Sequence, residues 1–377
     1  MIYNIFPIAD ATIYEKTEAL NSGIDALLEL NKTLTSQYDV TGSSIPIAYN
    51  SRILMKYDYT QLSILTDAGY DTGSVDTLYK IKMYITEEHD LPTTFTLDAI
   101  AVSGSWTNGI GRYDYIPYDR EGVSWKYRTG ENSDIQWLTG SYIAASTGSW
   151  NITPGGATWY TGSAYKATAS INYGDNLDIE IDCSSIVSEH LAGNISNDGI
   201  IIKKSYADEI STSDTMQLQF FSSDTNTIYL PHMRVYLNDS AFNTGSLSGI
   251  AASTDNVVYF KNLDDTYTTN DRAKFRIIGR PKFPEKTFAT SSAYAVENFL
   301  PVSSSYSVED LHTKEIVIPH DYIYTKINCD TTGSYFNFWM SGLQPERWYK
   351  FIIKTKFDNN DVRIYDDGFI FKVERAV

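Results

Sequence analysis

The sequence lacks features that define several common classes of protein. Cysteine is nearly absent: Cys183 and Cys329 are the two among 377 residues. The sequence therefore predicts no disulfide framework or cysteine-based metal site, and the fold must rest on buried apolar surface. There is no run of about 18 apolar residues that could span a membrane, and the opening MIYNIFPIADATIYE has neither the basic nor the long apolar region of a signal peptide. We expect a protein that is made in a cytoplasm and remains soluble or assembles there, without membrane contact.

Positive charge is also scarce, and it is unevenly distributed. The formal net charge is -17 at pH 7, which argues against binding of nucleic acid, because that binding needs Lys and Arg to displace counterions. Residues 1–240 hold 14 Lys and Arg against 30 Asp and Glu, whereas residues 241–377 hold 16 against 17. A nearly neutral segment packs more readily against partners, while an acidic one stays solvated. We therefore expect the C-terminal part to dock and the N-terminal part to project.

Helical periodicity is nearly absent, and short runs rich in Ile, Val, Tyr, Phe and Thr take its place. Runs such as Ile53–Tyr57 and Leu78–Ile85 are bounded by Gly, Ser, Asn and Asp, a pattern typical of strands. The sequence therefore predicts an all-β chain. One exception lies between Ser185, a candidate N-cap, and Gly193, a candidate stop, where we predict a short helix near residues 185–192.

The change from acidic to neutral sequence marks a domain boundary. Residues 240–256 are rich in Ser, Gly, Asn and Ala and poor in large apolar side chains, a composition typical of linkers. We predict one β-sandwich over residues 1–239 and a smaller one over residues 257–377. Alternating apolar and polar residues around the acidic stretch Asp358–Asp367 predict that the chain ends in a hairpin.

Motifs that carry catalysis are missing from the sequence. It contains no G-x-S-x-G, H-E-x-x-H, P-loop or dinucleotide-binding glycine pattern. His320 and Asp321 are adjacent, so on a strand their side chains point to opposite faces and form no dyad. We expect no catalytic residues and no enzymatic activity. A carboxylate pair for glycoside cleavage stays the third choice, because pairing in space is not visible in a sequence.

Acidic loops make calcium the one cofactor to consider, because this ion takes six to eight oxygen ligands and is common in sandwich modules. The candidate loops are Asp71–Asp76, Asn194–Asp198 and Asp358–Asp367, none with EF-hand spacing. The alternative is that these acids are solvated. We therefore expect no metal ligands and no required cofactor, and we keep calcium as the alternative.

Six stretches occur in a characteristic order along residues 8–239. They are DATIYEKTEALNSGIDALLEL (10–30), SRILMKYD (51–58), LYKIKMYI (78–85), SWTNGIGRYDY with EGVSWKYR (105–128), SSIVSEHLAGNISNDGIIIKK (184–204) and LQFFSSDTNTIYLPHMRVYL (218–237). Together they resemble the DNRLRE-type carbohydrate-binding-like family. The resemblance implies a jelly-roll-like β-sandwich in which Trp106 and Trp125 are structural. Residues 129–170 depart from the family pattern, because they are longer and richer in Ser and Gly.

The C-terminal part resembles a different group. RIIGRPKFPEKTF, IVIPHDYIYTKINCD and FWMSGLQPERWYKFIIKTKF are similar to stretches of uncharacterised virion proteins of large tailed phages, with an Ig-like character. The resemblance implies a virion component of the tail, neck or capsid surface, which contacts other virion proteins and further copies of itself. The alternative is an adhesive module that binds a carbohydrate or a receptor without catalysis.

Two sets of residues are candidates for contact with partners. Trp137, Trp150 and Trp159 lie in the atypical Ser- and Gly-rich stretch, where we predict that they are exposed and contact a glycan or a protein partner. The densest basic stretch is predicted to contact an acidic neighbouring subunit, with a solvated face as the alternative. Its members are Arg276, Arg280, Lys282 and Lys286.

Overall fold

The chain is built mainly from strands, which make up 44% of it against 8% for helix. The computed structural model describes residues 1–38, 42–137, 155–172, 174–285, 297–358 and 360–376. The antiparallel sheets and few short helices confirm the predicted all-β, sandwich-type class. The runs of β-branched and aromatic residues account for it, because such side chains pack well on a pleated surface.

The elements follow one another in this order. The strands of the first part are β1 Ile2–Ile5, β2 Pro7–Tyr14, β3 Leu27–Tyr38, β4 Ser44–Tyr57, β5 Leu78–Lys82, β6 Ile85–His89, β7 Thr94–Ala101, β8 Lys166–Asn172, β9 Glu180–Asp182, β10 Ile200–Lys204, β11 Met216–Phe221 and β12 His232–Tyr236. Those of the second part are β13 Asn256–Phe260, β14 Thr266–Thr268, β15 Arg272–Pro281, β16 Ser305–Asp310, β17 Ile316–Ile318, β18 Asn328–Asp330, β19 Gly333–Trp339, β20 Arg347–Lys356 and β21 Val362–Glu374. The helices are α1 Leu62–Asp67, α2 Ser184–Leu191 and α3 Tyr206–Ile210.

The chain divides into two compact units. The N-terminal unit comprises Ile5–Gly69 and Gly73–Arg234, and the C-terminal unit comprises Met1–Asn4, Tyr70–Thr72 and Val235–Val377. The stretch predicted as a linker, residues 240–256, is hydrogen-bonded within the C-terminal unit. The backbone N of Ile250 donates to the Phe299 carbonyl at 3.1 Å, and the Ile250 side chain is buried.

The large sheet of the N-terminal unit has the order β6-β11-β3-β4-β10-β7-β8, with β2 also paired to β4. An interior strand of this sheet, β10, is buried along its whole length and pairs antiparallel with both β4 and β7. Neighbouring residues of a strand point to opposite faces, so the consecutive Ile200, Ile201 and Ile202 supply apolar side chains to both faces. In a second sheet, β5 pairs antiparallel with β9.

Among the described residues, the C-terminal unit contains the sheets β13-β15-β19-β18 and β14-β21-β20-β16-β17. Phenylalanines supply much of its core. The ring of Phe275 lies 5.3 Å from that of Phe336 and 5.0 Å from that of Phe351, all three with almost no exposed surface. Such aromatic contacts add specific ring geometry to apolar burial.

Three local predictions need correction. Leu78–Ile85 is two strands, because Met83 and Tyr84 carry the chain from β5 in one sheet to β6 in the other. The predicted helix is present as α2, but Cys183 rather than Ser185 holds the N-cap position, and α1 and α3 were not predicted. The terminal hairpin is present, but most of Asp358–Asp367 belongs to β21 rather than to a loop.

Candidate functional site

Two of the three predicted contact tryptophans are buried, which corrects the prediction that they are exposed. The side chain of Trp137 is 2% exposed and that of Trp159 is 9% exposed, and both belong to one apolar cluster with Trp106 and Trp125. The Trp137 indole N–H donates to the Ser124 carbonyl at 2.9 Å, so its polar atom is satisfied inside the core. The burial of Trp106 and Trp125 agrees with their predicted structural role. Trp150 lies outside the described residues.

The basic stretch divides into side chains with different surroundings. Arg276 forms a bidentate pair with Asp330, with N–O distances of 2.6 and 2.7 Å, and this pair holds the pKa of Asp330 far below its ordinary value. Arg280 donates to the Pro281 carbonyl. Lys282 is exposed, with its ammonium 5.7 Å from the ring centroid of Phe283. Lys286 lies outside the described residues.

Two of the three predicted acidic stretches use a carboxylate within the protein. Asp198 accepts from the backbone N of Gly104 at 3.1 Å, and Asp366 pairs with Lys350 at 3.0 Å. Within the described ranges, no group of three or more His, Cys, Asp or Glu side chains could hold a metal ion. Both cysteines are buried and free.

An exposed aromatic loop, which we define as residues 110–118, was not predicted as a site. Five of its nine residues are large apolar side chains with much of their surface in solvent. The exposed fractions are 71% for Ile110, 44% for Tyr113, 68% for Tyr115, 83% for Ile116 and 44% for Tyr118. Clustered exposed apolar surface of this kind marks interaction sites, whereas single exposed residues do not.

Asn21 fixes the base of the aromatic loop. Its buried amide donates to the carbonyls of Asn108 and Val123 at 2.7 and 2.8 Å, and accepts from the backbone N of Gly23 and Gly111 at 3.2 and 2.7 Å. These four bonds use the full capacity of an amide side chain. Gly23 is required here, because a Cβ at that position would lie 2.1 Å from the Asn108 carbonyl oxygen.

Further contacts seat the loop against the N-terminal unit. The ring of Tyr113 packs at 4.8 Å from that of Tyr14, and the Tyr113 backbone N donates to Asp25 at 3.0 Å. Burial raises the pKa of Asp25 to about 6. The Ile24 backbone N also donates to the Gly111 carbonyl. The aromatic side chains are therefore presented from a loop whose two ends are fixed.

The amino-acid sequence of this loop sets it apart from a half-buried strand. The stretch IGRYDYIPY has three Tyr and two Ile in nine residues without the alternation that a half-buried strand requires. Its first residues also belong to the stretch 105–128 that resembles the carbohydrate-binding-like family, and tyrosine is common in strands as well. Exposure, not composition, distinguishes this loop from the buried strands.

A pocket of about 200 Å³ lies beside Trp159 in the N-terminal unit, lined among others by Asp98, Tyr160, Lys166 and Tyr206. Asp98 is 3% exposed and pairs with the Lys166 ammonium at 2.8 Å. Its second carboxylate oxygen, Oδ1, has no hydrogen-bond partner among the described residues. A buried acceptor without a donor is costly, so a ligand hydroxyl or N–H group would be favourable there.

Comparisons with protein-family models, with curated proteins and with solved structures find no match to this chain. The two resemblances described from the sequence therefore stay predictions. In the part of the chain that the structure describes, no helix combines the length and apolar character needed to cross a bilayer.

Proposed function

We propose that this chain is a non-catalytic structural component of a tailed-phage virion, located in the tail, the neck or on the capsid surface. It would be held in the particle by protein–protein contacts with other virion proteins and with further copies of itself. The resemblance of the C-terminal part to virion proteins supports a location in a particle. The aromatic loop supports attachment through protein–protein contacts.

The single observation that carries the proposal is the exposure of the aromatic loop. Tyr supplies a large contact area at low entropic cost and is enriched at protein interfaces. Because Asn21 and the contact with Tyr14 already fix the loop, ordering it on binding would cost little conformational entropy. Such a surface fits a stable contact between subunits.

Antibody labelling of intact particles tests this function. Gold-labelled antibodies against the purified chain would be applied to particles from a culture that produces it, and images would be compared with those of particles from a culture that does not. We expect label at repeated positions on the particles. If all of the chain stays in the fraction that sediments as single protein molecules, and no particle carries label, the proposal is wrong.

A second candidate function is binding of a carbohydrate or receptor without catalysis. The pocket beside Trp159 favours it, because the unpaired Oδ1 of Asp98 accepts a hydrogen bond, the Lys166 ammonium donates one, and Tyr160 and Tyr206 offer apolar faces. A sugar ring matches these groups, because its hydroxyl groups can donate to Asp98 and accept from Lys166 while its apolar face packs on a tyrosine ring.

A glycan array distinguishes the second function from the first. Binding that is lost on Asp98→Asn and Tyr160→Ala, but kept on Tyr38→Ala at a solvent-exposed tyrosine, would support the pocket. If the chain binds no glycan on the array, or if Tyr38→Ala lowers binding equally, the pocket is not the site.

A further inference from the structure

A groove of about 410 Å³ lies in the N-terminal unit between β6, β7 and β8. Phe95 and Ile171 are buried beneath it, and Leu91, Pro92 and Leu177 are partly exposed along it. Its floor is therefore apolar and open to solvent. An apolar concavity of this size accommodates a large side chain of a partner.

Carboxylates lie around this floor. Glu88, Asp90 and Asp175 line the same groove and are exposed. None of the three forms an ion pair within the described residues, and Asp175 accepts hydrogen bonds from the backbone N and the side-chain amide of Asn172. We call this site, with its apolar floor and its three acids, the acidic groove. Its charge favours a partner that brings a cation next to an apolar side chain.

A matching feature occurs in the C-terminal unit of the same chain. Residues 281–284, which we call the Phe283 segment, begin at the last residue of β15 and have the sequence Pro-Lys-Phe-Pro. Phe283 is 77% exposed, and the Lys282 ammonium has no carboxylate within 4.0 Å among the described residues. Prolines on both sides restrict the backbone, so this exposed Lys-Phe pair loses less conformational freedom on binding.

We infer that the Phe283 segment of one copy binds in the acidic groove of another copy. The Phe283 ring covers the apolar floor, and the Lys282 ammonium meets the carboxylates of Glu88 and Asp90. The inference rests on the proposed assembly through protein–protein contacts and names one interface within it. The uneven charge of the chain supports the pairing, because the groove lies in the acidic part and the segment in the nearly neutral part.

This contact joins two different surfaces. After two copies bind, the copy that contributes its segment keeps a free groove, and the copy that contributes its groove keeps a free segment. Such a head-to-tail interface closes into a ring or continues as an open array, depending on the rotation between copies. Both results give the repeated arrangement that a particle component needs. The contact is also sensitive to salt, because part of its attraction is between exposed charges.

Sedimentation velocity of the full chain over a range of concentrations tests the inference. We expect wild type to self-associate, and Phe283→Ser to weaken association by about tenfold or more, since this removes the central apolar side chain. Glu88→Lys/Asp90→Lys should weaken it similarly. The matched controls are Val302→Ser, another exposed apolar residue of the C-terminal unit, and Asp67→Lys/Asp76→Lys, which reverses two exposed acids elsewhere.

Mixing the two defective variants gives the decisive result. Phe283→Ser keeps an intact groove and Glu88→Lys/Asp90→Lys keeps an intact segment. The mixture should therefore form a 1:1 complex at concentrations at which each variant alone is mostly monomeric. A mixture that stays monomeric, a Phe283→Ser variant that associates like wild type, or a wild type that is monomeric throughout would each overturn the inference. Label on particles, together with any of these outcomes, would leave the proposed function standing and remove this interface alone.

Discussion

Glu209 is completely buried, and its environment determines whether it can carry a charge. Arg52 reaches both of its carboxylate oxygens at 2.9 Å, and Lys203 reaches one at 3.0 Å. Burial alone would raise the pKa of Glu209, but the two cations lower it to about 2. The guanidinium of Arg52 also lies 4.6 Å from the ring centroid of Trp125. This network places charges at the centre of the N-terminal unit, next to the tryptophan cluster.

Replacing Arg52 with Leu should be strongly destabilising. The change removes the bidentate partner of the buried Glu209, and breaking a buried pair costs about 3–5 kcal/mol of unfolding free energy. The matched control is Arg120→Leu, which breaks the exposed pair with Glu131 and should lower the unfolding free energy far less, because water screens exposed charges. Chemical denaturation of both variants measures the difference. Equal losses would mean that the buried network does not stabilise the unit.

His232 should make the protein acid-sensitive. Burial, and then the neighbouring Arg234, lower its pKa to about 3 in the folded state, against an ordinary value of 6.5. A lowered histidine pKa means that the unfolded chain binds the extra proton first. Its contribution to stability is therefore present above pH 6.5 and is lost as the pH falls towards 3, by at most about 1.4 kcal/mol per pH unit.

The His232→Gln variant tests whether His232 lowers the unfolding free energy as the pH falls. Its unfolding free energy should fall less steeply than that of wild type between pH 6.5 and pH 4, because Gln does not titrate. The difference between the two curves isolates this one group from the other acids. Parallel curves would show that His232 does not titrate abnormally.

Among the elements, the sequence predicted those that depend on neighbouring residues and missed those that depend on distant pairing. The helix near residues 185–192 forms because an apolar stretch lies between a polar start and Gly193, and all of these signals are local. The break of Leu78–Ile85 into β5 and β6 was not predictable from the run itself. It depends on which sheet each half joins, and β5 pairs with β9 while β6 pairs with β11, both distant in sequence.

The aromatic loop depends on one amide, so Asn21→Ala should loosen it. The change leaves the backbone N of Gly23 and Gly111 without their acceptor, at about 1–3 kcal/mol for each buried group. We expect faster amide hydrogen exchange across residues 108–123, with little change in the C-terminal unit. Asn176→Ala, which removes an exposed amide, is the control. Unchanged exchange in the loop would show that Asn21 does not hold it.

At the scale of the whole molecule, composition predicted the class of fold but not the site. The all-β class follows from strand-forming residues and the missing helical period. Which aromatic residues are exposed does not follow, because burial depends on contacts between distant strands. Trp137 and Trp159 join the core through residues such as Ser124 and Arg52, whereas Tyr115 and Ile116 remain in solvent.

We expect the aromatic loop to contact other proteins in an assembled particle. A photo-cross-linking amino acid at position 115 tests it most directly, with the same group at the exposed Val75 as control. On irradiation of intact particles we expect position 115 to join the chain to a second protein of the particle, and position 75 to do so much less. The claim is contradicted if both positions give the same products, or if position 115 gives none while the chain is present in the particle.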